Sequence, residues 1–263
     1  MGKETIIFLH GIVGNKNAFK KEIEMLQGDY QCISYDLYDI NDSEVDGLPI
    51  IDVFIEQLYC KFVLRNIKKA HLCALSFGSV IAQAFADKHP ERVASMTFVG
   101  GYCCNEPSQF SENLIRVLED KGTSDYKIWL KQYAALLNPN HPFIREDSES
   151  IFLHHALQVP PKVLDKAMRL QFEFDSKSAL LGTEIPVLWV MGEYDQLYKS
   201  TLIDLKKYVP HVKYEEIKHA GHVAHVHQPE QFLFLFESFL RNDLGNMTKE
   251  VFISDHEFFE TAM

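Results

Sequence analysis

The chain has 263 residues, 46% of them hydrophobic and 24% charged, which suits a folded α/β domain or a core carrying an inserted lobe. Its net charge of −11, with Lys20-Lys21, Lys68-Lys69 and Lys206-Lys207 as scattered pairs, excludes a phosphate-backbone binder and so nucleic acid. The apolar run Thr5-Ile6-Ile7-Phe8-Leu9 is too short for a signal peptide, and no later run reaches membrane-spanning length. Five cysteines (Cys32, Cys60, Cys73, Cys103 and Cys104) form no regular framework. Reduced thiols in a cytoplasmic protein are therefore expected, with the vicinal Cys103-Cys104 as the one redox candidate.

In chain order, Thr5 to Leu9 reads as a buried strand, followed at once by the turn His10-Gly11-Ile12-Val13-Gly14. A loose helical pattern spans Asn17 to Leu26, and a second strand runs from Gln31 to Tyr35. The polar, acidic stretch from Asn41 to Gly47 predicts an exposed loop. Ile51, Phe54, Ile55, Leu58 and Phe62 recur at helical spacing and predict a helix over 51–67. The segment from Ala70 to Ala86 begins as a strand and ends as a helix. Ser76 sits between the two, with small Ala74 before it and Gly78 after it. Such spacing suits a sharp, strained turn that projects the serine hydroxyl from a sheet end, as in a nucleophile elbow. A further strand covers Val93 to Val99 and ends at Gly100-Gly101.

From Tyr102 to Leu181 the pattern changes to proline-punctuated helical runs rich in Phe, Leu, Trp and Tyr, with no convincing strand. This predicts a helical lid over the core, most of its apolar residues packing against one another. His154-His155 reads as a helix-surface pair. Strand–helix alternation then resumes. A strand from Ile185 to Met191 precedes Gly192-Glu193-Tyr194-Asp195, and a helix is expected over 200–208. A last strand from Val212 to Ile217 precedes His219-Ala220-Gly221-His222, and a helix from Gln228 to Leu240 closes the pattern. The expected fold is α/β, a mainly parallel, doubly wound sheet of about six strands. The expected organisation is a core of 1–101 and 182–242, a lid of 102–181 and a tail of 243–263. That tail mixes acids with Val251, Phe252, Ile253, Phe258 and Phe259.

Ser76, Asp195 and His222 each follow a strand end, where active sites of such sheets gather. Four signatures accompany them: the His10-Gly11 turn, the Ala74-Leu75-Ser76-Phe77-Gly78 elbow, Gly192-Glu193-Tyr194-Asp195, and Ala220-Gly221-His222 before Pro229-Glu230-Gln231-Phe232. In this order they resemble the α/β-hydrolase superfamily from Thr5 to Leu240. The resemblance implies a serine hydrolase that needs no cofactor and no metal. Ser76 would be its nucleophile, His222 its base and Asp195 its acid, with the backbone N–H groups of Ile12 and Phe77 as oxyanion donors. Glu193 and Glu106 remain alternatives for the acid, and His219, His225 and His227 crowd the base without a standard zinc pattern. His10 reads as a structural hydrogen-bonder.

Two departures stand out. Asp36-Leu37-Tyr38-Asp39-Ile40-Asn41 keeps only the aspartate of a turn common in relatives. Ahead of Thr5 there is no room for the two antiparallel strands that often open the fold. The substrate expected is a small molecule, partly hydrophobic, bearing an ester or related acyl bond. A C–C bond hydrolase, lactonase, thioesterase or lyase on the same triad, or a ligand receptor, are the other readings. A monomer or homodimer is expected.

Overall fold

The computed structural model describes residues 2–39, 49–103, 126–137, 141–142, 144, 148–159 and 161–242. The acidic loop expected over 41–47, Glu106, Cys104 and the tail from 243 onward lie outside the described residues.

Six strands form one sheet in the order β2-β1-β3-β4-β5-β6 (β1 Thr5–Leu9, β2 Gln31–Ser34, β3 Ala70–Leu75, β4 Val93–Val99, β5 Val187–Gly192, β6 Lys213–Ile217). Every adjacent pair is parallel. Crossover helices therefore cover both faces, and the central strands read as unbroken apolar runs because neither face meets water. The period of two is still visible in where each side chain goes. Ile7 and Leu9 join one core with Phe54, Phe62, Phe85 and Trp189, while Ile6 and Phe8 join the other with Phe19, Phe232 and Phe236.

Eleven α-helices connect and follow the strands among the described residues. Helix α1 is Lys20–Leu26, shorter than the pattern from Asn17, because the chain first makes two turns. In them the Ala18 N–H donates to the Asn15 carbonyl at 2.9 Å and the Lys20 N–H to the Asn17 carbonyl at 3.1 Å. Helix α2 is Ile50–Leu64 and stops short of the predicted Ile67 because Asn66 takes a left-handed φ of 52°, a conformation that ends helices. Helix α3 is Phe77–Lys88 and is buried along most of its length. Between β4 and β5 the described residues contain no strand, only helices: α4 Tyr126–Leu137, α5 Ser148–Ala156, α6 Pro161–Glu173 and α7 Ser176–Leu180.

The last elements depart from expectation in detail. β5 begins at Val187 rather than Ile185, after Pro186. The single helix predicted over 200–208 is instead α8 Gln196–Lys199, a 3₁₀ turn over Ser200–Leu202 and α9 Leu205–Tyr208. The Thr201 hydroxyl donates to the Tyr198 carbonyl at 2.7 Å, a local side-chain bond that competes with regular helix. The short α10, Ala224–His227, precedes the closing helix α11, Pro229–Asn242.

Candidate active site

Ser76 stands between β3 and α3 with φ 48° and ψ −116°, a strained conformation for a residue with a Cβ, costing about 1–3 kcal/mol. Three bonds hold it there. The Ser76 N–H donates to the Val99 carbonyl at 2.9 Å, and the Ser76 carbonyl accepts from the Ser79 N–H at 2.8 Å and the Ser79 hydroxyl at 2.6 Å. Glycine at 78 is a steric requirement, since a Cβ there would lie 2.6 Å from the Leu9 carbonyl oxygen. The elbow thus packs directly on the end of β1.

The loop after β1 is organised by His10. Its Nε2 accepts from the Leu37 N–H at 2.9 Å, so the proton is on Nδ1, which donates to the Gly11 carbonyl at 2.7 Å. Burial pushes its pKa down to about 4, which keeps the ring neutral and this bonding pattern intact. The Tyr38 hydroxyl donates to the Ile12 carbonyl. Ile12 is thereby held in the loop whose Gly11 lies against Leu75 and Ser76. Phe77 supplies the first N–H of α3, where helical polarity favours negative charge.

Asp195 follows β5 and His222 follows β6, and both are buried. The structure brings them together: His222 Nδ1 is 2.8 Å from Asp195 Oδ2. The second carboxylate oxygen accepts from the Tyr198 N–H at 3.4 Å. The other ring nitrogen, His222 Nε2, is buried with no partner among the described residues. Gly100, at the end of β4, has φ 56°, and a Cβ there would come within 2.6 Å of the His222 carbonyl oxygen and 2.8 Å of its Nδ1. The turn after β4 therefore seats the imidazole, while the preceding residue, Val99, holds the elbow.

The alternatives fall elsewhere. Glu193 accepts from the His219 N–H at 2.8 Å, and its carboxyl is held below the usual range chiefly by that bond. His225 is stacked on Phe19, its Nε2 3.2 Å from the Ala18 carbonyl, and burial takes its pKa down to about 3. His227 Nδ1 accepts from the Gly221 N–H at 2.9 Å. His154 pairs with Gln158 at an exposed position, as expected. His155 instead is half-buried, its Nδ1 3.1 Å from Asn15 Nδ2, so α5 reaches the loop after β1. Among the described residues no cluster suits a metal ion, and Cys32, Cys60, Cys73 and Cys103 are free thiols.

Sequence reasoning misses Tyr198, whose ring stacks on His222 at 4.6 Å with 24° between planes. Its only signal is its place three residues after Asp195.

The fold is that of the α/β-hydrolases, with Ser76, Asp195 and His222 following β3, β5 and β6 in turn. A family model described as alpha/beta hydrolase fold matches residues 4–124. The chain is similar to 3-oxoadipate enol-lactonase 1 of Acinetobacter baylyi, 19% identical over 240 residues that cover 90% of this chain and 89% of that protein. It is also similar to a pimeloyl-[acyl-carrier protein] methyl ester esterase of Aeromonas hydrophila, 22% identical over 242 residues covering 89% and 94%. Among solved structures, a hydrolase from Oleispira antarctica superposes with a TM-score of 0.79 at 17% identity, covering 92% of each chain. Among the described residues no helix is long and apolar enough to cross a membrane.

Proposed function

We propose that the protein is a cofactor-free serine hydrolase of carboxylic esters or related acyl bonds, acting on a small-molecule substrate. The observation that carries this reading is the buried Asp195–His222 pair, whose unpartnered Nε2 belongs to the same strand-end cluster as the strained Ser76 elbow. Ser76 Oγ attacks the acyl carbon while His222 Nε2 takes its proton. Asp195 holds the imidazole in the required tautomer and stabilises the imidazolium. The N–H groups of Ile12 and Phe77 receive the developing oxyanion. His222 then gives the proton to the departing alcohol, leaving an acyl-serine. Water attacks that ester, its proton passing through His222 back to Ser76 Oγ, and a carboxylic acid leaves. The helices between β4 and β5 serve as the lid and set the substrate's shape.

Esterase and lactonase relatives support acyl chemistry in general and leave the choice among esters, lactones and thioesters to experiment. A panel of p-nitrophenyl esters of varied chain length, with lactones and thioesters beside it, tests the reading. Turnover of at least one class, lost by about 10⁴-fold or more in Ser76→Ala, is the expected result. Turnover that survives Ser76→Ala contradicts it. Very slow turnover of every class, with ligand-dependent capture of another protein, points to a receptor instead.

A further inference from the structure

Three buried aromatic rings are stacked in series at the proposed base. Tyr198 lies on His222 with ring centroids 4.6 Å apart, and Tyr198 stacks in turn with Tyr102 at 4.9 Å, with 28° between planes. They come from three separate strand ends: Tyr102 follows β4, Tyr198 follows β5 and His222 follows β6. Tyr102 is anchored to the inserted helices, because its hydroxyl donates to Gln171 Oε1 on α6 at 2.9 Å.

Asp195 fixes one nitrogen of the imidazole, and a single hydrogen bond leaves the ring free to rock about its Cβ–Cγ axis. Gly100 closes one side of it. A flat ring on the face removes much of the remaining freedom. The face of a phenol also carries negative potential, so it attracts an imidazolium more than a neutral imidazole. We infer that Tyr198 is a positioning residue: its ring orients His222 and favours the imidazolium, and through Tyr102 and Gln171 it ties that orientation to the helices between β4 and β5. This inference rests on His222 acting as the base.

The test uses Tyr198→Leu and Tyr198→Phe in the full chain, with kcat, KM and the pH profile of kcat/KM on whichever substrate the wild type turns over. The groups facing His222 are Asp195 from the loop after β5, Tyr198 from α8, and His225 and His227 from α10. Only Tyr198 changes between the variants. Tyr198→Phe keeps the stack and is expected within about threefold of the wild type, with the acidic limb unmoved. Tyr198→Leu is expected to lose on the order of 10- to 100-fold in kcat with little change in KM. Its acidic limb moves about half a pH unit lower, since loss of the π face destabilises the imidazolium relative to the neutral ring. Should Tyr198→Leu fail to fold, Tyr102→Leu leaves Tyr198 present but unbacked, and a selective kcat loss there supports the inference equally. Wild-type kcat and an unmoved limb in whichever Leu variant folds overturn it. A wild type with no Ser76-dependent turnover overturns the hydrolase reading itself, which is a separate result.

Discussion

At the amino end of the sheet, His71 of β3 lies with its Nδ1 2.8 Å from the Ser95 hydroxyl of β4, and Glu4 Oε2 stands 3.9 Å from its Nε2. At the carboxyl end, His222 pairs with Asp195, and Ser76 follows the end of β3. Both ends therefore hold a serine, a histidine and a carboxylate. The difference lies in the backbone. His71 and Ser95 are register partners inside the β3–β4 ladder, where N–H and C=O groups are committed to the sheet. Ser76 lies past its strand, at a positive φ and at the start of a helix. The amino end opens on a groove of about 970 Å³ lined by residues that include Lys3, Arg65, Lys68 and Lys69, whereas Ser76, Asp195 and His222 are buried. The chemistry of a site is thus set by where the chain breaks its regular structure as much as by which side chains meet.

The largest effect expected on this comparison is at Asp195. Asp195→Asn leaves the packing intact and presents the wrong tautomer to His222, so kcat falls by on the order of 10⁴-fold. Steady-state kinetics on the best substrate of the panel measures it. Gly100→Ala is next, because its Cβ would meet both the backbone and the ring of His222. A loss of on the order of 100-fold in kcat, with a stability loss of about 1–3 kcal/mol by denaturant titration, is expected.

Acid should weaken the fold at both ends alike. Burial takes His10, His71 and His227 down to about 4 and His225 to about 3. The unfolded chain binds protons there first, so the stability these rings contribute is full above about 6.5 and is lost progressively as the pH drops toward 4. Glu22 acts in the opposite sense. Burial raises its pKa to about 7, so stability is lost as the pH rises from about 4.5 to 7. Glu22→Gln should therefore stabilise the protein at pH 8 by about 1–2 kcal/mol and leave it nearly unchanged at pH 4. Denaturant titrations at the two pH values check both signs. The smallest effect is at Ser95. Ser95→Ala should leave kcat within about twofold and cost about 1 kcal/mol of stability, from the lost bond to His71.

Much of this was legible in the sequence because it is local. The six strands appear as apolar runs, the turn at Ser76 as Ala74, Ser76 and Gly78, and Asp195 and His222 as strand-end residues. What stayed hidden depends on residues far apart in the chain. The stack of Tyr102, Tyr198 and His222 joins three loops, and the contact of His155 with Asn15 spans 140 positions. The division of the segment after Asp195 into α8, a 3₁₀ turn and α9 accompanies bonds of the Thr201 hydroxyl to the Tyr198 carbonyl and from the Cys103 N–H, the latter 98 positions away. No periodicity encodes such choices.

Labelling with a fluorophosphonate probe, followed by mapping of the modified peptide, tests the central claim most directly. One adduct is expected, on Ser76, formed in step with loss of ester turnover and absent in Ser76→Ala. An adduct elsewhere, or full turnover after Ser76 is modified, would contradict it.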